Sequence, residues 1–167
     1  KVISNLPYQI TSPVIRTFLE AVHPPELMVL MVQKEVAERI CAKPGHMSVL
    51  SIAVQYYADA EIVAQVPRDC FWPVPGVDSA VIRIKKTKNL ENKKITERLF
   101  QFAKVGFANR RKLLFKNLLP LVGKKNRGEL QKAFDELGLL PTARAQELSV
   151  EQWIKLVGVI TRSEATS

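Results

Sequence analysis

The chain has 167 residues, 47% of them apolar, and its 25 lysines and arginines outnumber its 16 aspartates and glutamates for a formal net charge of +9. That length buries a real core as one domain or two small ones, which excludes a chain that is disordered throughout. The longest strongly apolar stretch, Leu27 to Val32, falls far short of the roughly 20 residues that cross a bilayer as a helix, which excludes a helical membrane protein.

Two cysteines, Cys41 and Cys70, are too few for a disulfide framework, and with only His23 and His46 beside them no zinc-ligand spacing can be drawn. A reducing, cytoplasmic setting with no metal is therefore expected. The chain begins at Lys1 rather than Met, with no charged leader or cleavage site, and its first residues read as a buried strand, so the beginning looks cut. The charge is uneven: between Arg83 and Arg127 stand 15 basic and two acidic residues, a net +13, while the rest of the chain carries −4. Such a block attracts polyanions, of which phosphate backbones are the commonest large ones in a cytosol. A solvated, lysine-rich surface has the same composition.

In chain order, Lys1 to Ser4 is a short strand that stops at Pro7, which lacks a backbone donor. Ser12 as N-cap, with Pro13 at the first helical position and Ile15, Phe18, Leu19 and Val22 at i, i+3, i+4, i+7, predicts a helix ending at His23. Leu27 to Val32 reads as a strand covered on both faces. Val36 and Ile40 mark a second helix before Pro44-Gly45, and Ser48 to Tyr57 fits a third. Glu61 to Val66 and Ser79 to Ile84 are strands joined by a Pro-rich loop short enough for an antiparallel pair at the sheet's edge. After a charged linker, Lys86 to Lys94, the pattern is helical. Thr96 is a candidate cap, and Asn126 with Glu129 and Ser149 with Gln152 are candidate capping boxes; Gly138 closes one helix and Leu148 staples to Trp153 in another. The expected fold is α/β, with parallel strands and an antiparallel edge pair over residues 1–87, followed by a small all-helical domain over 88–167.

Ligands in open α/β sheets sit beyond the carboxyl ends of the strands, where Asn5-Leu6-Pro7-Tyr8 falls. The Asn5 amide oxygen and a backbone carbonyl fixed by Pro7 can both accept from one exocyclic NH2, and Tyr8 offers a stacking face. An Asn capping a turn beside a core tyrosine would look the same. In Phe71-Trp72-Pro73-Val74-Pro75, alternate prolines stiffen a loop whose aromatic could close on a flipped-out base. Equally, Phe71 and Trp72 could sit in the core.

Four segments in order, Asn5-Leu6-Pro7-Tyr8, Gln33-Lys34-Glu35-Val36-Ala37-Glu38-Arg39, Phe71-x-Pro73-x-Pro75-x-Val77-Asp78-Ser79-Ala80-Val81 and Phe107-x-x-Arg110-Arg111-Lys112-x-Leu114, together resemble the ribosomal RNA adenine dimethyltransferases, and they span nearly the whole chain. The resemblance implies a Rossmann-like methyltransferase sheet and transfer of two methyl groups from S-adenosylmethionine to adenine N6 in ribosomal RNA, by in-line displacement helped by positioning. It implies that Asn5 and the Leu6 carbonyl hold N6, that Tyr8 stacks on the adenine, and that Phe71, with Pro73 and Pro75, closes the far side. Asn5 would also border the cofactor. Arg110, Arg111, Lys112, Lys116, Lys124, Lys125 and Arg127 are the expected RNA contacts, with the small ribosomal subunit as partner. Lys34, Glu35, Glu38 and Arg39 are expected to form i,i+4 pairs on an exposed helix face.

The Gly-rich turn and acidic residues with which the family holds its methyl donor have no counterpart here; seven glycines include no G-x-G. The chain is thus expected to be the C-terminal part of such an enzyme, inactive alone, with an open sheet edge through which copies could pair. Competing readings are a large-subunit enzyme of the macrolide-resistance type, a DNA adenine methyltransferase with an Asn-Pro-Pro-Tyr motif, and a non-catalytic ribosome-assembly factor.

Overall fold

Apolar residues at alternate positions and β-branched side chains build a four-stranded sheet in the order β1-β2-β4-β3, from Val2–Asn5 (β1), Leu27–Gln33 (β2), Ala58–Val66 (β3) and Ser79–Lys86 (β4). The structure, a computed structural model, describes residues 1–87 and 93–164, and within them the side chains of all but Lys124, Ser163 and Glu164. It divides into two units, Lys1–Ala42 with Leu50–Asn89, and Lys43–Val49 with Leu90–Ser167.

In the sheet unit β1 and β2 run parallel, joined through helix α1 (Thr11–Leu19), with Asn5 opposite Met31. β4 is antiparallel to both β2 and β3, with Ser79 facing Gln33 on one side and Val66 on the other. The antiparallel pair is thus present, with β3 at the edge and β4 inside the sheet. This reversal matters for the site, because the β3–β4 loop emerges at the same end as the carboxyl ends of β1 and β2. Helices α2 (Lys34–Ile40) and α3 (Val49–Gln55) follow β2. Ile15 and Leu19 of α1, Met28, Leu30 and Val32 of β2, Ala37 and Ile40 of α2, and Ile82 and Ile84 of β4 form its core. Each buried Ile, Leu, Val or Met among them contributes roughly 1.5–3 kcal/mol.

Several local expectations change. β1 is an exposed edge rather than a buried strand: Ile3 is 84% exposed. Only alternate residues of β2, Met28, Leu30 and Val32, are buried, so one face is sealed and the other only half covered. A 3-10 turn at Tyr8–Ile10 runs directly into α1, so Ile10 takes the cap position instead of Ser12. Pro13 then stands a turn into the helix, where its missing N–H still forfeits no intrahelical bond. The helix also stops at Leu19, ahead of His23.

The helical unit contains α4 (Lys93–Gly106), α5 (Leu114–Val122), α6 (Arg127–Glu136) and α7 (Val150–Glu164); α4 packs on α5 and α7, and α6 on the same two. It also takes in Lys43–Val49, where Gly45 and Met47 both donate backbone N–H groups to the Gln146 carbonyl. The fully buried Trp153 stacks on Phe107, and a Cβ on Gly106 would come within 2.5 Å of its ring. The Ser149–Gln152 capping box forms in both directions, and buried Leu148 precedes it as a staple requires. Gly138 closes α6 at φ +61°. The Asn126–Glu129 box does not form: a 3-10 turn at Lys124–Asn126 leads into α6, and Asn126 Nδ2 donates instead to the Val122 carbonyl. Thr96 lies inside α4 rather than at its cap. Residues 88–92 of the expected linker lie outside the described residues. No helix among the described residues is long and apolar enough to cross a membrane.

Candidate active site

Asn5 is the last residue of β1, and the chain turns sharply beyond it. Leu6 is buried and donates its N–H to the Met31 carbonyl across the parallel pair. The Pro7 carbonyl accepts from the Ile10 N–H and from Thr11 Oγ1 at the start of α1. These bonds use up the neighbouring groups. Among the described residues, the exposed Asn5 side chain and the Leu6 carbonyl accept nothing, so Asn5 does not cap the turn. Two acceptors one residue apart are left available on a rigid segment.

Tyr8 is half-buried rather than a core residue, and its Oη is 2.8 Å from Oγ of the fully buried Ser79. A hydrogen bond of this kind is worth about 1 kcal/mol and, at the end of a ring, fixes where that end of the ring lies. Ser79 was not singled out for a role by sequence reasoning. Its signal was its place at the end of the Pro-rich motif, opposite β2.

The β3–β4 loop supplies the facing wall. Phe71 is half-buried, Trp72 is 94% exposed, and the Trp72–Pro73 bond is cis. Neither aromatic sits in the core. Asn5, Leu6, Pro7 and Tyr8 on one side, and Phe71 to Pro73 with Pro75 on the other, line one cleft of about 340 Å³. All seven residues of the expected adenine site therefore meet, and Trp72 joins them. A cleft with aromatic rings on opposing segments and two free acceptors fits a flat heterocycle bearing an amine. None of its lining residues is charged.

Asp78 ties the loop down. Its Oδ1 accepts the Arg68 N–H at 3.1 Å, and its carbonyl accepts the Lys34 N–H at 3.0 Å. The Gln33-Lys34-Glu35 segment is thereby joined to the Pro-rich loop. The ion pairs expected within Lys34 to Arg39 do not form; instead Lys34, Glu35 and Glu38 line a second cleft of about 470 Å³. Of the cysteines, Cys41 is half-buried, and burial first and Glu61 second push its thiol up to about 11. Among the described residues, no group of three His, Cys, Asp or Glu side chains gathers as a metal site would require.

In the helical unit, Arg110, Arg111 and Lys112 lie in the turn between α4 and α5, and all three are exposed, as are Lys116, Lys125 and Arg127. Arg127 stands 5.8 Å from the Phe115 ring; the other five have no ion-pair partner among the described residues. The Lys124 side chain lies outside those described. Arg83, at the start of the basic block, is instead paired with Glu61 across β3 and β4. Asn117, buried on α5, donates from Nδ2 to the Gly106 carbonyl at 2.7 Å and to the Asn109 carbonyl at 3.1 Å. It staples the turn that presents the three cations. The only sequence signal for this was a polar residue within an apolar helical stripe.

The geometry has counterparts among known proteins. The chain is 44% identical over 162 residues to the Ribosomal RNA small subunit methyltransferase A of Rippkaea orientalis, covering 92% of this chain and 58% of that protein. It is 42% identical over 163 residues to the protein of the same name from Geobacillus thermodenitrificans, covering 93% and 55%. The chain thus spans a little over half the length of these curated relatives. Among solved structures, the 23S rRNA methyltransferase ErmE matches with a TM-score of 0.75 at 28% identity, over 95% of this chain and 64% of that one. A dimethyladenosine transferase from Plasmodium falciparum shares the fold, with a TM-score of 0.75 at 21% identity over 98% and 68%. The family described as Ribosomal RNA adenine dimethylase matches residues 1–162, and the chain belongs to that family.

Proposed function

We propose that this chain is the substrate-holding part of an S-adenosylmethionine-dependent enzyme that dimethylates adenine N6 in small-subunit ribosomal RNA during ribosome assembly in the cytoplasm. The observation that carries this reading is the single cleft lined by Asn5, Leu6, Tyr8 and Phe71, in which the Asn5 side chain and the Leu6 carbonyl have no other partners among the described residues. In this reading Tyr8 and Phe71 sandwich the extruded adenine, with Pro73 and Pro75 stiffening the closing wall. Asn5 Oδ1 and the Leu6 carbonyl accept the two N6 protons. Adenine N6 is a weak nucleophile because its lone pair is delocalised into the ring. Two acceptors placed to favour a pyramidal nitrogen return that pair to N6, and holding it in one direction supplies the positioning that such a transfer needs. No titrating side chain is required.

The methyl donor is a separate matter. The residues lining the cleft include no glycine turn for a nucleoside and no carboxylate for ribose hydroxyls. The residues lining this cleft therefore do not form a donor site by themselves, and of them Asn5 would border one. The isolated chain is expected not to turn over.

The helical part, residues 88–167, is the proposed RNA-docking domain, through Arg110, Arg111, Lys112, Lys116, Lys124, Lys125 and Arg127. Small-subunit RNA is preferred because the two relatives quoted are 42–44% identical and named for that subunit, whereas the 23S enzyme is 28% identical. The exposed β1 edge, with Ile3, is the surface through which copies of the chain would pair. Light scattering that gives a monomer at every concentration removes that element. The deciding experiment is methylation of purified small- and large-subunit RNA by the whole protein and by its Asn5→Ala variant. Loss of N6-dimethyladenosine in the small-subunit RNA with RNA binding intact is expected; unchanged methylation by the variant overturns the Asn5 role, and transfer confined to large-subunit RNA overturns the substrate.

A further inference from the structure

The adenine cleft leaves the Gln33-Lys34-Glu35 segment unused, and the second cleft, of about 470 Å³, is built on it. Lys34 and Glu38 stand at i,i+4 spacing on α2, as do Glu35 and Arg39, a spacing that permits ion pairing. None of the four pairs among the described residues. Lys34, Glu35 and Glu38 line the cleft, while Arg68 and Gly76 to Asp78 form its other wall. The Lys34 N–H, donated to the Asp78 carbonyl, joins the two walls, and the Arg68 N–H, donated to Asp78 Oδ1, holds the second wall together. Charges that could neutralise one another locally are instead available to a ligand.

The two clefts are neighbours through the loop they share. Phe71 to Pro75 borders the first and Gly76 to Asp78 the second. Ser79, the hydrogen-bond partner of Tyr8 in the first cleft, is the ladder partner of Gln33 in the second. The two clefts are thus lined by consecutive stretches of one loop, the placement expected of sites for adjoining nucleotides of one RNA strand.

The lining specifies what that nucleotide must offer. Lys34 and Arg68 suit a phosphate. The Glu35 and Glu38 carboxylates only accept hydrogen bonds and repel acceptor edges, so they require a base that presents donors. Guanine is the RNA base with two adjacent donors on one edge, its N1–H and N2 amine, and can meet a carboxylate in bidentate fashion. We propose that the second cleft binds an unpaired guanosine next to the target adenine, through Lys34 and Arg68 on its phosphate and Glu35 or Glu38 on its donor edge. This rests on the adenine reading of the first cleft, and its test must separate the two.

Two fluorescein-labelled RNA hairpins serve as probes for the whole protein, alike in an unpaired loop adenine and differing in whether the adjoining loop residue is guanosine or inosine, which lacks the N2 amine. Anisotropy titrations are expected to show about five- to tenfold tighter binding of the guanosine hairpin. In the Glu35→Gln/Glu38→Gln double variant that ratio is expected to fall to about one without weaker binding of the inosine hairpin, because removing two negative charges relieves repulsion from RNA. Lys34→Ala with Arg68→Ala is expected to weaken both hairpins alike and to make the salt dependence shallower. A wild-type ratio of one, or a ratio unchanged in the double glutamine variant, overturns the proposal. Tyr8→Ala reports on the first cleft alone: it should weaken binding of the adenine loop relative to an abasic loop and leave the guanosine-to-inosine ratio intact. If Tyr8→Ala changes nothing while the glutamine variant still abolishes the ratio, the adenine reading falls and the guanosine site stands.

Discussion

Asn5 and Arg110 illustrate two ways of building a binding surface in one chain. In the first cleft of the sheet unit the proposed working groups are few and uncharged, and the segments that carry them are held by bonds to distant parts of the sequence: Leu6 to Met31, Tyr8 to Ser79, and the closing loop to Lys34 through Asp78. In the helical unit the working groups are exposed cations on a turn, with one buried amide, Asn117, holding the turn's backbone. The first arrangement fixes atoms in place, which suits chemistry on one nitrogen. The second supplies charge at modest positional precision, which suits a phosphate backbone. Variants should therefore lose different things in the two regions.

The largest expected effect is on the sheet side. Asn5→Ala in the whole protein should lower the rate of methyl transfer by about 100-fold or more, the scale seen when one preorganised polar group is lost from a reaction site. Its RNA affinity should stay within about twofold, which filter binding alongside single-turnover assays would show. A matching loss of affinity would erase the contrast. On the helical side the prediction is reversed: replacing Arg110, Arg111 and Lys112 together by Ala should reduce the slope of log affinity against log salt by about two to three. If the three face only solvent, the slope will not move.

Structural variants sharpen the comparison further. Gly106→Ala gains up to about 1 kcal/mol in helix propensity. The added Cβ meets the buried Trp153 ring at 2.5 Å, a rigid neighbour that cannot swing aside, and overpacking of this kind costs about 1–3 kcal/mol. Net destabilisation of the helical unit is expected, read as an earlier urea midpoint by tryptophan fluorescence from Trp153. Tyr8→Phe removes the bond to Ser79 and should cost about 1 kcal/mol in the sheet unit while slowing transfer more than it weakens RNA binding.

The smallest effect is alkaline. Tyr57 is half-buried, and burial first, then Glu20, push its phenol from 10.0 up to about 12. The folded chain then keeps a proton that the unfolded chain releases near pH 10, so this contribution is complete below pH 10 and is lost as pH rises towards 12. Denaturation midpoints between those values should fall less steeply in Tyr57→Phe.

Much of the fold was legible because its signals are local. The Ser149–Gln152 capping box, the Gly138 stop and the β3–β4 pair all follow from residues near one another in sequence. The misreadings have a common cause. Ser12 and Thr96 have the chemistry of caps, yet helices begin upstream of both, and at Asn126 a preceding 3-10 turn leaves the side chain to bond Val122 instead. A cap signal tells where a helix can begin, while packing and the preceding turn decide where it does. Burial at Ile3 differs from the expectation, and at Trp72 it was left open, for a similar reason: apolar composition does not say whether another element covers a residue.

The sequence by itself determined the chemistry on offer: which segments carry acceptors, aromatic rings and cations, and that the positive charge belongs to one block. Only the tertiary structure decided which of these meet. Because β4 runs antiparallel between β2 and β3, a loop 66 residues downstream of Asn5 at Phe71 returns to the carboxyl end of β1 and lines the same cleft as Asn5. The same loop leaves Lys34, Glu35 and Glu38 facing a cleft instead of one another. Neither outcome is written in helical spacing or composition, since strand order and register depend on long-range pairing and the burial of a shared core.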